Sequence, residues 1–224
     1  MALDQRARLL DEIRKAEAFF ERPAYSVALL AVSKGQEVAR LLSAYAFGQR
    51  AFGENYVQEA LPKIQALQDK NIEWHFIGPI QTNKTRAIAA HFDWVHTVSS
   101  VKVAERLSAQ RPHHLAPQKV CIQVNISCDP HKSGVLLSEV PELARALSKL
   151  PNLTLRGLMC LPTESTIFEE QRVPFSELRQ TLQTLNGSLN LNLDTLSMGM
   201  SYDFKAAIAE GATLVRMGRA FFEG

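Results

Sequence analysis

The chain has 224 residues, 46% of them hydrophobic and 21% charged, with 11 glycines and 10 prolines. This composition excludes disorder, collagen and long coiled coil and leaves enough apolar surface for one sizeable core. Its 25 Lys and Arg against 23 Asp and Glu give a net charge of +2 with no long run of either sign, so neither a nucleic-acid face nor an anionic-membrane face is expected.

The opening MALDQRARLLDEIRKAEAFFERP carries charge throughout, and no later window approaches the roughly 20 apolar residues of a membrane span. Cys121, Cys128 and Cys160 form no CxxC pair and no Cys/His cluster at metal-ligand spacing, so no metal site is expected and a reduced, cytoplasmic setting fits best. Leu9, Leu10, Ile13, Ala16 and Phe20 recur at helical spacing before Pro23, which predicts an amphipathic helix over residues 3–20. SVALLAVSK (26–34) is a nearly continuous apolar run, the pattern of a strand covered on both faces. The alternation then repeats: helix 36–46, strand 50–54, helix 55–69, strand 73–78, helix 83–92, strand 94–100, helix 101–110 and strand 119–127. Helix 137–150, strand 154–162, helix 175–186, strand 193–201, helix 203–211, strand 213–218 and the short AFFEG tail complete it. Eight strands in 224 residues leave 28 residues per unit, close to the roughly 30 of a βαβ repeat. A single α/β domain over residues 1–224 is predicted, a (β/α)8 TIM barrel with an extra N-terminal helix. The alternative is a doubly wound open sheet, but no GxGxxG follows the first strand.

Such barrels place their chemistry at the C-terminal strand ends, often with phosphate bound after strands seven and eight. Polar residues at those ends are Ser33 and Lys34, Glu54 and Asn55, His75 with Gly78, Ser99, Asn125, Ser197 to Ser201, and Arg216 to Gly218. Lys34 shares the parity of Ala28, Leu30 and Val32, so it can project into the barrel mouth, where partial desolvation would make its amine nucleophilic towards an aldehyde. The plainer reading is a lysine that ends a strand and reaches solvent. SMGMS (197–201) and RMG (216–218) bring Gly199, Gly218, Ser201 and the start of a helix near Tyr202 to one place, an expected phosphate site, or else ordinary barrel turns. Arg216 inside an apolar strand must face a polar cavity or pair with a carboxylate such as Glu54 or Asp194.

The motifs LLAVSK, FGENYVQE, WHFIGPIQTNK, VNIS followed by KSG, GLMCLP, LSMGMSYDFKAAIAEGAT and VRMGRAFFEG span almost the whole chain in order. Together they closely resemble the pyridoxal phosphate homeostasis protein family, whose fold is the barrel of the alanine racemase N-terminus, PLP fold type III. The resemblance implies pyridoxal 5′-phosphate (PLP) held as a Schiff base on Lys34. It implies phosphate contacts from Ser197, Gly199 and Ser201 and the backbone of Arg216, Met217 and Gly218, with Asn55, His75 and Gly78 around the ring. It also makes Arg216 the neighbour of the pyridine nitrogen; a guanidinium there donates a hydrogen bond and leaves the ring a weaker electron sink. Departures such as Cys128, Pro130, His131 and Cys160 touch none of these contacts, and Cys121 and Cys160 read as small buried hydrophobes.

The function this implies is intracellular vitamin B6 homeostasis: holding PLP, buffering it or delivering it to apo-enzymes, with other B6 vitamers as further ligands. The alternative is a PLP-dependent amino-acid racemase, with Tyr56 or Tyr202 as a second base, although packing at a helix start is the preferred reading of both. His75 likewise reads better as a core histidine than as a base. Racemases of this fold take part of their site from an added β-domain, and nothing of that kind follows strand eight here, so a non-catalytic monomer is expected. A sugar-phosphate isomerase without PLP would need paired carboxylates at strand ends, and Glu54 is the one clear candidate.

Overall fold

The computed structural model describes residues 2–223, with side chains from residue 5 onward. Eight strands pair in parallel and in chain order around a closed barrel: β1 (Ala28–Val32), β2 (Ala51–Glu54), β3 (Glu73–Phe76), β4 (Trp94–Val98), β5 (Gln118–Val124), β6 (Leu153–Cys160), β7 (Thr195–Ser197) and β8 (Leu214–Met217). Pairing of β1 with β8, with Leu30 opposite Arg216, closes the ring and eliminates the open-sheet alternative. The helices are α1 (Ala2–Phe19), α2 (Val38–Ala46), α3 (Val57–Ala66), α4 (Thr85–His91), α5 (Val101–Gln110), α6 (Val140–Leu147), α7 (Phe168–Leu189), α8 (Phe204–Ala209) and α9 (Arg219–Phe222).

Local chemistry explains the element limits. Ser100 caps α5 by accepting the Val103 N–H at 3.3 Å, and Val103, Ala104 and Leu107 then face the sheet. The extra helix α1 buries Leu9, Ile13 and Ala16. Its buried Glu17 accepts the Val27 N–H at 2.8 Å, tying α1 to the start of β1.

Two helices differ from the sequence expectation. α7 begins at Phe168, seven residues before the expected Phe175, and carries Pro174 inside it. Its first turns are largely solvent-facing, so they show no apolar period, and the proline costs one bond near the helix start. α8 is a six-residue helix beginning at Phe204, because residues 198–203 are spent on the turn that leaves β7.

Strand parity divides the core. Outward side chains, among them Leu29, Phe52, Trp74, Phe76 and Ile122, pack under the helices with Leu107, Phe175 and Phe221 in one continuous apolar layer. Inside the barrel a smaller apolar set, Trp94, Cys121 and Met159 with Leu161 against them and Leu30 and Leu214 on β1 and β8, stands among polar side chains.

Candidate functional site

A file of hydrogen-bonded side chains crosses the barrel interior. Glu73 Oε1 accepts from Lys119 Nζ and Trp94 Nε1, both at 2.8 Å, and Glu73 Oε2 lies 3.2 Å from His75 Nε2. His75 Nδ1 meets His96 Nε2 at 2.9 Å, and His96 Nδ1 meets Ser197 Oγ at 2.8 Å. Arg216 Nη1 then donates to Ser197 Oγ and Nη2 to the Cys160 carbonyl, both at 2.9 Å. One proton arrangement satisfies every member: Arg216 donates to Ser197, Ser197 to His96, His96 to His75, and His75 to Glu73. Both imidazoles are then neutral. Burial agrees, pushing His75 below its ordinary pKa and His96 well below it. The hydrogen bond from His75, with further ones from Lys119 and Trp94, holds the Glu73 carboxyl far below the usual carboxylate range.

Arg216 heads this file, 4% exposed, with no carboxylate within ion-pair distance among the described residues. Neither Glu54 nor Asp194 is its partner: Glu54 faces outward and pairs with Lys63, and Asp194 pairs with Arg156. Burial lowers the guanidinium's pKa, but an arginine side chain keeps its proton in proteins.

Above Arg216 the strand ends form an arc from β7 through β8 and β1 to β3. After β7, Gly199 adopts φ +93°, and a Cβ there would stand 2.6 Å from the Ala207 side chain, so both backbone and space require glycine. Its carbonyl accepts the Arg216 N–H at 3.0 Å, joining the two turns. The buried carboxyl of Asp203 accepts the Met200 N–H at 2.6 Å and fixes the same turn. Ser201 is exposed, and its hydroxyl reaches only the weakly accepting Met217 sulfur at 3.6 Å. Gly218 follows β8 against Val32, two residues before Lys34. At the end of β2, the Asn55 Oδ1 is buried without a partner, and Asn55 borders a cavity of about 260 Å³ with Tyr56, Phe76, Gln81 and Lys84. Gly78, two residues past β3, stands hard against the Asn55 backbone, where no Cβ would fit, and its carbonyl accepts from Thr97.

Lys34, Asn55, Gly78, Gly199, Ser201 and Gly218 thus gather at one rim. Several expectations are corrected. Lys34 is exposed, not partly desolvated. His75 is fully enclosed with both ring nitrogens engaged below the rim, so it cannot line the ring site. Ser197 supports Arg216 from beneath, and no phosphate contact is open to it. The Arg216 backbone N–H is taken by the Gly199 carbonyl, so it is not a free anion donor. The short α8 offers little helix dipole. Asn125 is spent on its own loop, bonding Asp129 and Lys132. Tyr56 and Tyr202 are 58% and 41% exposed, not packed, and burial of its hydroxyl with nearby Asp203 raises the Tyr202 pKa above its ordinary value. Cys121 and Cys160 are buried thiols, each pushed up to about 12, as expected of inert core residues.

Sequence reasoning missed His96, Glu73 and Lys63. His96 lay in plain view in WVHTVSS with the inward parity of His75 on the neighbouring strand. Lys63 gave no signal, since a lysine on a surface helix reads as solvated.

The chain matches the family model of the alanine racemase N-terminal domain over residues 6–224. It is 52% identical over 216 residues to the pyridoxal phosphate homeostasis protein of Pseudomonas aeruginosa, covering 96% of this chain and 92% of that one. The chain belongs to the pyridoxal phosphate homeostasis protein family. The Escherichia coli member is 45% identical over 221 residues, with 96% and 93% covered. Among solved structures, PipY of Synechococcus elongatus with PLP bound superposes with TM-score 0.82 at 37% identity, covering 94% of this chain and 99% of that one. Alanine racemase from Corynebacterium glutamicum, 19% identical with TM-score 0.69 and 60% of its chain covered, shares the fold.

Proposed function

We propose that this family member binds pyridoxal 5′-phosphate at the rim, covalently on Lys34, and buffers or delivers it in the cytoplasm as a single-domain monomer without turning over amino acids. The observation that carries this reading is the arc itself. An exposed lysine on the β1 turn adjoins the Gly218 and Ser201 turns, above a buried guanidinium that has no carboxylate partner among the described residues. The residues fit the cofactor. Ser201 keeps its hydroxyl available for phosphate oxygens, Arg216 retains N–H groups beyond its two bonds, and Asn55 presents an unpaired oxygen beside the ring position. When bound, the cofactor supplies an aldehyde for an amine and a ring that withdraws electrons. Arg216, held by Ser197 and the neutral histidines, keeps a donor under the ring position and cannot pass a proton to it. Tyr202, one of the two candidate second bases, is not poised to take up a proton, since desolvation and nearby Asp203 raise its pKa.

Borohydride reduction followed by peptide mapping tests the assignment. The expected adduct lies on Lys34, and Lys34→Ala abolishes trapping while PLP is still bound more weakly through its phosphate. Undiminished trapping in that variant overturns the assignment, and racemisation of amino acids that scales with protein and requires Lys34 restores the enzyme reading.

A further inference from the structure

Lys34 stands at the corner of a turn that is gripped from both sides. The Ser33 carbonyl accepts the Gln36 N–H at 3.1 Å and Gly35 has φ +73°, as in a type II turn, whose third position calls for glycine. Beneath it lies Lys63 of α3, 5% exposed, whose Nζ donates to the Ser33 carbonyl at 2.7 Å, to Glu54 Oε1 at 2.8 Å and to Glu59 Oε1 at 2.5 Å. Glu54 Oε1 also accepts from Ser33 Oγ at 2.6 Å, and Glu59 Oε1 accepts the Gly35 N–H. The peptide groups before and after Lys34 therefore end on one ion cluster, while the Lys34 side chain stays exposed.

This cluster is an expensive way to fill the layer between sheet and helix. Two residues earlier on β2, the same outward position holds Phe52 in the apolar core. A buried cation between carboxylates gains little net stability over apolar packing. Glu54 Oε2 is buried without a partner, and desolvation raises the Glu54 carboxyl's pKa. Costly polar support directly under a reactive residue is the mark of a site held in a set geometry.

We propose that Glu54, Lys63 and Glu59 are positioning residues that lock the Lys34 turn so that its amine meets an aldehyde at the rim in reacting orientation. This rests on the reading of Lys34 given above. In the step they favour, the amine nitrogen bonds the aldehyde carbon and both amine hydrogens leave with the carbonyl oxygen as water. No oxidant or reductant takes part, and orientation governs the rate.

The test compares an aldehyde with an alcohol that cannot condense. Protein freed of cofactor is mixed with pyridoxal 5′-phosphate and quenched with borohydride over time, while affinity for pyridoxine 5′-phosphate is titrated in parallel. Glu59 is partly exposed, so Glu59→Ala keeps the fold; it is expected to slow attachment about tenfold and to leave pyridoxine phosphate affinity within about twofold. Glu59→Gln keeps an acceptor for the Gly35 N–H and restores most of the rate. Lys63→Met with Glu54→Gln, which removes cation and carboxylate together, slows attachment as Glu59→Ala does. In the cofactor-free protein the Gly35 amide exchanges faster with solvent in Glu59→Ala than in Glu59→Gln. An unchanged attachment rate in Glu59→Ala, or equal losses for both ligands, refutes the positioning role alone. Wild-type protein that yields no adduct on Lys34 refutes the reading of Lys34, and the proposal with it.

Discussion

The two faces of the same eight-stranded sheet are filled on opposite principles. The helix-facing layer is continuous and apolar, from Leu29 and Phe52 to Phe175 and Phe221. The barrel interior holds Glu73, Lys119, His75, His96, Ser197 and Arg216, with Trp94, Cys121, Met159, Leu161, Leu30 and Leu214 as its apolar part. Apolar burial contributes about 25 cal/mol per Å² and is indifferent to orientation. A hydrogen-bonded file contributes little net stability but fixes which atom points where. The outer layer therefore holds the barrel together, and the inner file aims Arg216 at the rim.

The largest expected effect tests the outer layer. Phe175, fully buried on α7, should cost about 3–5 kcal/mol when replaced by alanine, read from denaturant unfolding. A loss below about 1 kcal/mol would mean that this layer is not the main source of stability.

The inner file should show itself in pH. His75 and His96 have folded pKa values below the ordinary value of about 6.5, so the unfolded chain binds protons there that the folded chain does not. Their stabilising contribution is complete above about pH 6.5 and is lost as pH falls from there towards the folded values, at up to about 1.4 kcal/mol per pH unit for each histidine. His96→Gln should flatten this slope in unfolding measured between about pH 5 and 7; an unchanged slope would put the pH dependence elsewhere.

The smallest effect on stability is expected where the effect on the cofactor is most visible. Arg216→Met removes a buried cation with no ion pair among the described residues, so unfolding should change by less than about 1 kcal/mol or the protein should become more stable. The absorption spectrum of bound PLP should nevertheless shift. A large loss of stability with an unaltered spectrum would reverse the division of labour between the two faces.

Much of this was legible in the sequence. The parity of SVALLAVSK assigns Leu30, Val32 and Lys34 to one side, and the register of Leu30 with Arg216 agrees. The turns around Gly199 and Gly218 were read at the strand ends where they stand. Less was legible in the details: strand β7 is only three residues long, α7 starts in a stretch without apolar period, and Lys63 is buried on a helix of the outer ring, where a lysine ordinarily reaches solvent.

Strand and helix periods, turn residues and the inward or outward face of each side chain are local properties, so the sequence by itself determined the βα alternation, the place of Lys34 at the end of the first strand and the glycines after the last two. Barrel closure and the partners of the inward polar residues depend on elements far apart in the chain. His96 and Ser197 are separated by 101 residues, and the pairing of β1 with β8 joins opposite ends of the fold. Periodicity states which face a residue occupies but carries no information on what it meets there. Tertiary structure alone therefore decided that His75 and Ser197 support Arg216 from within the barrel, and that Lys63 reaches under the turn that carries Lys34.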